Sequence, residues 1–378
     1  MAKKYCLTIG ALIQEGLIAF FVEFFIKQME QDCLRNNIQW RGKPMLANQH
    51  LSTETIAKVL QEHYGFSIKN IALLPIGHDP NASVYQVTDI ENKKYFLKLN
   101  KGGIWEVGVK VPYYLHSYGI EGVISPMNSK TRQLWIKEEE YTWTIYPFIE
   151  SQNGYETVIS ESQWVCFGQT LKEIHSLELP DELTQLLPNE DFSSKWCGTV
   201  RKFDQLINTN NFDDPISASL AEFWKKNRLE IIGLVENTER ISEQLKQHKF
   251  NYVLCHADLH PGNIVIDKNK KMLIVDWDSP ILAPKERDLM FIGGGHRFKN
   301  ENIDAFYKGY GATQIDQLVL TYYRNERIVA DIAADSTEIL EEKGSQEDRE
   351  VRLYLLSRQF EPNREVSVAL NDFRKTNQ

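Results

Sequence analysis

The sequence predicts an α+β chain with two lobes, an antiparallel strand-rich lobe followed by a larger helical one. Three observations predict it. Apolar residues alternate in short segments up to Pro147, and afterwards recur at helical spacing. The turn-like stretches GHDPNA and DIENKK divide the early segments into a meander. A short hairpin pattern, VLCHADLHPGNIVID (Val253–Asp267) followed by MLIVDWD, interrupts the later helices. This pattern divides the chain into an extension over 1–44, a first domain over 45–147 and a second over 148–378.

The elements follow in order. Ser52 is placed to cap a helix running to Tyr64, with Gly65 as its stop. Strands are expected over Ile71–Ile76, Ser83–Thr88 and Lys94–Leu99, a helix over Trp105–Tyr118, and strands over Gln133–Lys137 and Thr142–Pro147. Gln163–Ser176 puts Trp164, Phe167, Leu171 and Ile174 on one helical face. Lys195–Ile207 and Ser217–Gln247 read as helices. Tyr252–Cys255, Asn263–Asp267 and Lys271–Asp276 read as strands, and the remainder from Glu286 is mostly helical. No internal repeat or low-complexity tract is visible.

Composition narrows the function. Hydrophobic residues make up 42% of the 378, enough for sizeable cores, and the net charge of −9 argues against nucleic acid as partner. The five cysteines are scattered without a C-x-x-C pair, which fits a reducing, cytoplasmic setting. Tyr5–Ile26 is rich in apolar residues, but Gln14, Glu15 and Glu23 interrupt it. Charges at a membrane centre cost about 2.5–3.5 kcal/mol each, so no stable span is expected there. No small-x-small cleavage site follows, and Met45 opens a stretch that reads as an ordinary start.

The chemistry gathers in the hairpin. Asp258 and Asn263 are five apart with Pro261 and Gly262 between them, so a loop joins them. Asp276 stands at the end of the next apolar strand. If the two strands pair, Asn263 and Asp276 meet, and an amide oxygen with a carboxylate suits Mg²⁺, which also takes phosphate oxygens. Asp258 is left to orient or deprotonate a hydroxyl. A zinc site on His256 and His260 is disfavoured, because Pro261–Gly262 breaks the helix that their spacing would need. D-x-x-x-x-N followed by a metal-binding Asp is the order of groups used for phosphoryl transfer. In the first lobe, Lys98 lies among Phe96, Leu97 and Leu99 and needs an anion; Glu106, opening the next helix, is its natural partner. The segment PIGHDPNASVY has only Gly77 as glycine, with Ser83 and the amides near Asn81 as phosphate caps. The linker backbone over Tyr146, Pro147, Phe148 and Ile149 is positioned for adenine.

The stretch CHADLHPGNIVID with LIVDWD resembles the phosphotransfer motif of the aminoglycoside phosphotransferase family, which includes choline, homoserine and fructosamine kinases. The resemblance runs from Met45 to the C-terminus. DWDSPILAPKERDLMFIGGG, YYRNERIVADIA and YPFIESQNG are similar to the spectinomycin phosphotransferases within it. The resemblance implies a bilobal protein-kinase-like fold and ATP with Mg²⁺ as cofactors. It implies phosphorylation of a hydroxyl on an aminocyclitol antibiotic, and so resistance. By the same resemblance Asp258 is the catalytic residue, Asn263 and Asp276 hold the metal, and Lys98 binds ATP phosphates braced by Glu106. His256 holds the loop, and Asp288 supports it from the following helix. A cationic acceptor needs carboxylates or aromatic faces; Asp278, Glu326 and Asp331, with Tyr322 and Trp196, are the candidates. A metabolite acceptor such as choline, an amino alcohol or a sugar shares the motif. A nucleotide-binding pseudokinase is disfavoured by the intact Lys98, Asp258, Asn263 and Asp276.

Overall fold

The computed structural model describes residues 51–74, 81–294, 300–342 and 345–376. The extension over 1–44, and Gly77 with the rest of 75–80, lie outside the described residues. The described chain divides into two compact units, 51–104 with 126–152, and 105–125 with 153–376.

The first unit is a helix on an antiparallel sheet. Helix α1 (Thr53–His63) begins where Ser52 Oγ accepts the Thr55 N–H at 3.1 Å, and it ends at Gly65, whose φ of +78° suits glycine. The strands are β1 (Ile68–Leu74), β2 (Ala82–Asp89), β3 (Lys94–Lys101), β4 (Ile136–Glu138) and β5 (Tyr141–Pro147), in the order β1-β2-β3-β5-β4. Alternation along β2, β3 and β5 buries Tyr85, Val87, Tyr95, Leu97, Leu99, Trp143 and Ile145 with Ile56, Val59 and Leu60 of α1. The strand expected from Gln133 starts only at Ile136. Ser129 and Gln133 instead close a turn, with Ser129 N–H donating to the Gln133 carbonyl at 2.8 Å.

Helix α2 (Glu106–Ser117) lies where a helix is expected, but it belongs to the second unit. Sequence order grouped it with the strands over 45–147. Its apolar residues Val107, Val111 and Leu115, with Ile120 and Val123, join the core of the second unit beside Phe167, Leu171 and Ile274.

The chain continues through β6 (Ser151–Asn153), α3 (Glu161–Ser176), α4 (Asp181–Leu186), α5 (Lys195–Thr209), α6 (Pro215–Lys226) and α7 (Arg228–Leu245). Ser160 and Gln163 form a capping box at the start of α3. The expected single helix over Ser217–Gln247 is two, α6 and α7, because Asn227 turns back on α6 and donates its side-chain amide to the Phe223 carbonyl at 2.8 Å. Strands β7 (Val253–Cys255), β8 (Ile264–Asp267), β9 (Met272–Ile274) and β10 (Ile281–Ala283) follow. Then come α8 (Glu286–Leu289), α9 (Asn300–Tyr310), α10 (Gln317–Thr337), a π-helical turn (Glu338–Glu342), α11 (Gln346–Gln359) and α12 (Glu365–Thr376). Helices α3 and α9 cross at glycines. A Cβ at Gly168 would overlap the Phe306 carbonyl oxygen, and one at Gly309 the Val165 carbonyl oxygen. Each helical glycine costs about 1 kcal/mol relative to alanine, and here the return is backbone-to-backbone approach beneath Phe167, Phe306 and Tyr310. No helix among the described residues is long and apolar enough to cross a membrane.

Candidate active site

The polar loop is held between two strand pairs of the second unit. β7 leads into it and pairs antiparallel with β10, Cys255 opposite Ile281. β8 leads out and pairs with β9, Ile264 opposite Ile274. The run IVID and the run MLI are apolar because both strands are buried. Between the pairs, His260 Nδ1 accepts the Gly262 N–H at 3.0 Å, and Pro261–Asn263 form one 3₁₀ turn.

This frame brings together the residues singled out in the sequence. Asn263 donates its amide nitrogen to the Asp258 carbonyl at 2.8 Å, which leaves the amide oxygen as the end that can meet a cation. The Asn263 carbonyl accepts the Val275 N–H at 3.0 Å, so the residue before Asp276 is tied to the loop. Asp276 itself lies two residues past β9, exposed, with φ +65°. Ala257, just before Asp258, has φ +71°. Two non-glycine residues in the left-handed region cost of order 1 kcal/mol or more each, and such strain persists only where surrounding bonds impose it.

Those bonds are visible. Asp288, fully buried in α8, accepts the His256 N–H at 2.9 Å and the Ala257 N–H at 2.7 Å. Its third partner is His175 of α3, whose Nε2 lies 3.0 Å away and whose Nδ1 meets the Tyr310 hydroxyl at 2.8 Å. Burial pushes the Asp288 carboxyl up. The hydrogen bond and charge of His175, with His256, more than offset this and hold it below the usual range. His256 is also fully buried. Its Nε2 sits 2.9 Å from the Val275 carbonyl and so carries the proton, leaving Nδ1 to accept the Asp258 N–H at 3.3 Å. The loop is thereby fixed at three consecutive residues.

Asp258 is one-third exposed. Its Oδ1 lies 2.6 Å from Arg327 Nη1 on α10, and its Oδ2 lies 3.7 Å from His260 Nε2. Burial raises its carboxyl, but Arg327 and then His260 outweigh that, so it stays ionised below the usual carboxylate range. Asp258 offers an ionised carboxylate, Asn263 an amide oxygen and Asp276 a second carboxylate, all hard-oxygen donors. Such a set is chemically suited to a divalent cation carrying phosphate.

The acceptor candidates fall into different settings. Asp278 is exposed. Glu326 is paired with Arg287 at 3.1 Å, and Asp331 with Arg327 at 3.1 Å, so each already answers a guanidinium. Tyr322 is buried, donating its hydroxyl to the Ser193 carbonyl at 2.9 Å, and Trp196 stacks under Lys195. Arg327 and His175 were missed in the sequence. A histidine beside Ile174 on the apolar face of α3 signalled a buried partner; Arg327 showed only its local pairing with Asp331.

In the first unit, Lys98 lies on β3 opposite Val84 and Thr144, on the face away from Leu97 and Leu99. Ser83 stands opposite Leu99, and Tyr146 opposite Phe96 with ring centroids 6.3 Å apart. After Pro147 the Phe148 N–H donates to the Lys94 carbonyl at 3.3 Å, and the Ile149 carbonyl accepts the Ser151 hydroxyl at 3.4 Å. Glu106, at the start of α2, pairs with Lys110 at 3.2 Å.

Residues 73–318 match the model of the phosphotransferase enzyme family. The chain belongs to this family. Among solved structures, a spectinomycin phosphotransferase, APH(9)-Ia, in complex with ADP and spectinomycin is 35% identical. The match covers 86% of this chain and 99% of that one, with a TM-score of 0.81. Its AMP-bound complex matches at 34% identity over 85% and 99%, with a TM-score of 0.77. An amicoumacin kinase at 14% identity, covering 86% and 97% with a TM-score of 0.56, shares the fold alone. Among curated proteins, none matches. The phosphotransferase fold is the bilobal kinase-like one expected, and the chain is a kinase.

Proposed function

We propose that this phosphotransferase transfers the γ-phosphoryl group of ATP to a hydroxyl of spectinomycin or a close aminocyclitol, inactivating the antibiotic. The observation that carries the reading is the 35% identity over 99% of an enzyme crystallised with ADP and spectinomycin. The choice of ATP as donor follows from the same relative.

The chain's own groups support each task. Phosphoryl transfer through a loose transition state needs positioning and charge neutralisation more than covalent chemistry. Asp258 orients the acceptor hydroxyl and takes its proton late, a role an ionised carboxylate can fill without a raised pKa. Asn263 and Asp276 would hold Mg²⁺, which supplies charge neutralisation on the phosphates. Lys98 contributes a fixed cation for the phosphates, and the backbone near Ser83, whose side chain shares the Leu99 face of the sheet rather than that of Lys98, caps an oxygen. The backbone over Tyr146, Phe148 and Ile149 receives the adenine. His256 and Asp288 keep the loop in the strained conformation that aims Asp258. Asp278 is the carboxylate for the cationic acceptor, since Glu326 and Asp331 are each taken up by a guanidinium.

The test is ADP release from purified protein with Mg·ATP, comparing spectinomycin with kanamycin, choline and no acceptor. Spectinomycin-dependent release is expected. Release driven by choline instead would assign a metabolite kinase and discard the antibiotic. Asp258→Ala should lose at least about 100-fold in turnover, the lower end of the range for a positioned acid–base group, while binding ATP as before.

A further inference from the structure

The guanidinium of Arg327 bridges two carboxylates. Nη1 meets Asp258 Oδ1 at 2.6 Å, and Nε meets Asp331 Oδ1 at 3.1 Å, one turn further along α10. Asp331 is fixed in turn by Gln359 of α11, whose amide nitrogen lies 3.2 Å from Oδ2. The ring of Phe291 packs 5.7 Å from the guanidinium carbon. The neighbouring Glu326 reaches Arg287 at 3.1 Å, and Arg287 precedes the Asp288 that holds His256 and Ala257. Two adjacent residues of α10 and two of α8 thus close a ring through the loop that carries Asp258. Each link is a charged hydrogen bond or a bond to a backbone N–H, so no member can rotate without breaking a partner's contact.

We infer that Arg327 is a positioning residue for phosphoryl transfer, fixing the Asp258 side chain through Oδ1 so that Oδ2 is the oxygen presented to the acceptor hydroxyl. The inference rests on the reading of Asp258 given above. Only an arginine does this. Its planar fork offers Nε and Nη1 in a fixed relation, whereas a lysine has a single charged nitrogen on a flexible stem. Asp331 is then the anchor of Arg327 and acts on the reaction through it. Misplacing a reacting group by about 1 Å costs on the order of 100-fold in rate, which sets the scale of the effect.

The experiment measures spectinomycin-dependent ADP release, ATP affinity and thermal melting for wild type and for Arg327→Met, Arg327→Lys, Asp331→Asn, the double variant Arg327→Met/Asp331→Asn, and Asp258→Ala. Arg327→Met should lower kcat by roughly 100-fold with KM for ATP unchanged within about twofold. Arg327→Lys should recover part of that loss. Asp331→Asn should cost less than Arg327→Met, and the double variant should be no slower than Arg327→Met alone, since both act on one contact. A kcat for Arg327→Met within twofold of wild type, beside an inactive Asp258→Ala, overturns the inference and leaves the site reading intact. So does a loss that vanishes when rates are expressed per ATP-binding site, because that loss is unfolding. Full turnover by Asp258→Ala, or no ADP release by wild type with any acceptor, overturns the site reading and the inference with it.

Discussion

Replacing Asp288 tests the loop's support directly. The side chain is fully buried and accepts from three donors: two consecutive backbone N–H groups, of His256 and Ala257, and His175 Nε2. Alanine leaves all three without an acceptor in a fully buried site. An unsatisfied buried donor costs about 1–3 kcal/mol, so losing the acceptor of three is expected to destabilise Asp288→Ala by roughly 3–9 kcal/mol. That approaches the whole stability of an ordinary domain, about 5–15 kcal/mol. Asp288→Asn is gentler. With its amide oxygen in place of Oδ2 it keeps the His256 N–H and His175 Nε2, and its NH₂ faces the Ala257 N–H alone. About one bond is lost, costing roughly 1–3 kcal/mol. Urea unfolding read by tryptophan fluorescence gives both values, and turnover per folded molecule separates aim from stability. The order expected is wild type above Asn above Ala in midpoint, with turnover falling in the same order. If Asp288→Ala unfolds at the wild-type urea concentration and keeps its turnover, the three bonds do not support the loop and the reasoning fails.

Three further outcomes are expected. Gly309→Ala would drive a methyl into the Val165 carbonyl and force α3 and α9 apart, so it should lower the melting temperature, whereas a Gly→Ala exchange on an exposed helix face raises it; an unchanged or raised melt would show that the crossing tolerates the carbon. Burial and the neighbouring Asp331 push the Asp335 carboxyl up to about 7 against Arg352, from an ordinary value of 3.8. The folded state holds that proton while the unfolded state releases it, so stability falls as pH rises from 3.8 to about 7, by an upper bound of about 4 kcal/mol. Asp335→Asn should therefore melt higher than wild type at pH 8 and lose that advantage by pH 4; a constant difference across the range would refute the shift. Removing the cap at α6 with Asp214→Ala takes an acceptor from the Ser217 N–H and a partner from Arg349, and should cost about 1–2 kcal/mol in urea unfolding without changing turnover; a change in turnover would tie α6 to the site.

What the sequence disclosed depended on the distance over which each feature is decided. Ser52 and Gly65 bound α1 because caps are settled by the residues themselves. The Asp258–Asn263 loop was legible because its strands and its turn lie within fifteen residues. The break at Asn227 was not, since apolar residues continue at helical spacing through it and only a side-chain bond to Phe223 ends α6. β10 is three residues long, too short for alternation to show, and it exists because β7 lies beside it. Helix α2 had the right bounds, but nothing in its own pattern says which core receives Val107, Val111 and Leu115. Arg327 is the sharpest case. Its local partner Asp331 was visible four residues on, while Asp258 lies 69 residues away.

The ring through Arg327 also explains why the same few elements carry both strain and charge. Ala257 and Asp276 sit in the left-handed region on either side of the Asn263 turn. A loop of this kind relaxes unless its backbone bonds are worth more than the strain, and a neutral hydrogen bond nets only about 1 kcal/mol. Bonds to an ionised acceptor are worth about twice that. Asp288 supplies two of them at successive N–H groups, and His175 holds its charge in place. Arg287, next in sequence, then needs a carboxylate of its own, and Glu326 provides it from α10. That pairing sets the position of α10 where its next residue, Arg327, meets Asp258. The charges are therefore not separate surface pairs. Each one satisfies the group that the previous bond left exposed, and the sequence of obligations ends on Asp258, the carboxylate proposed to orient the acceptor.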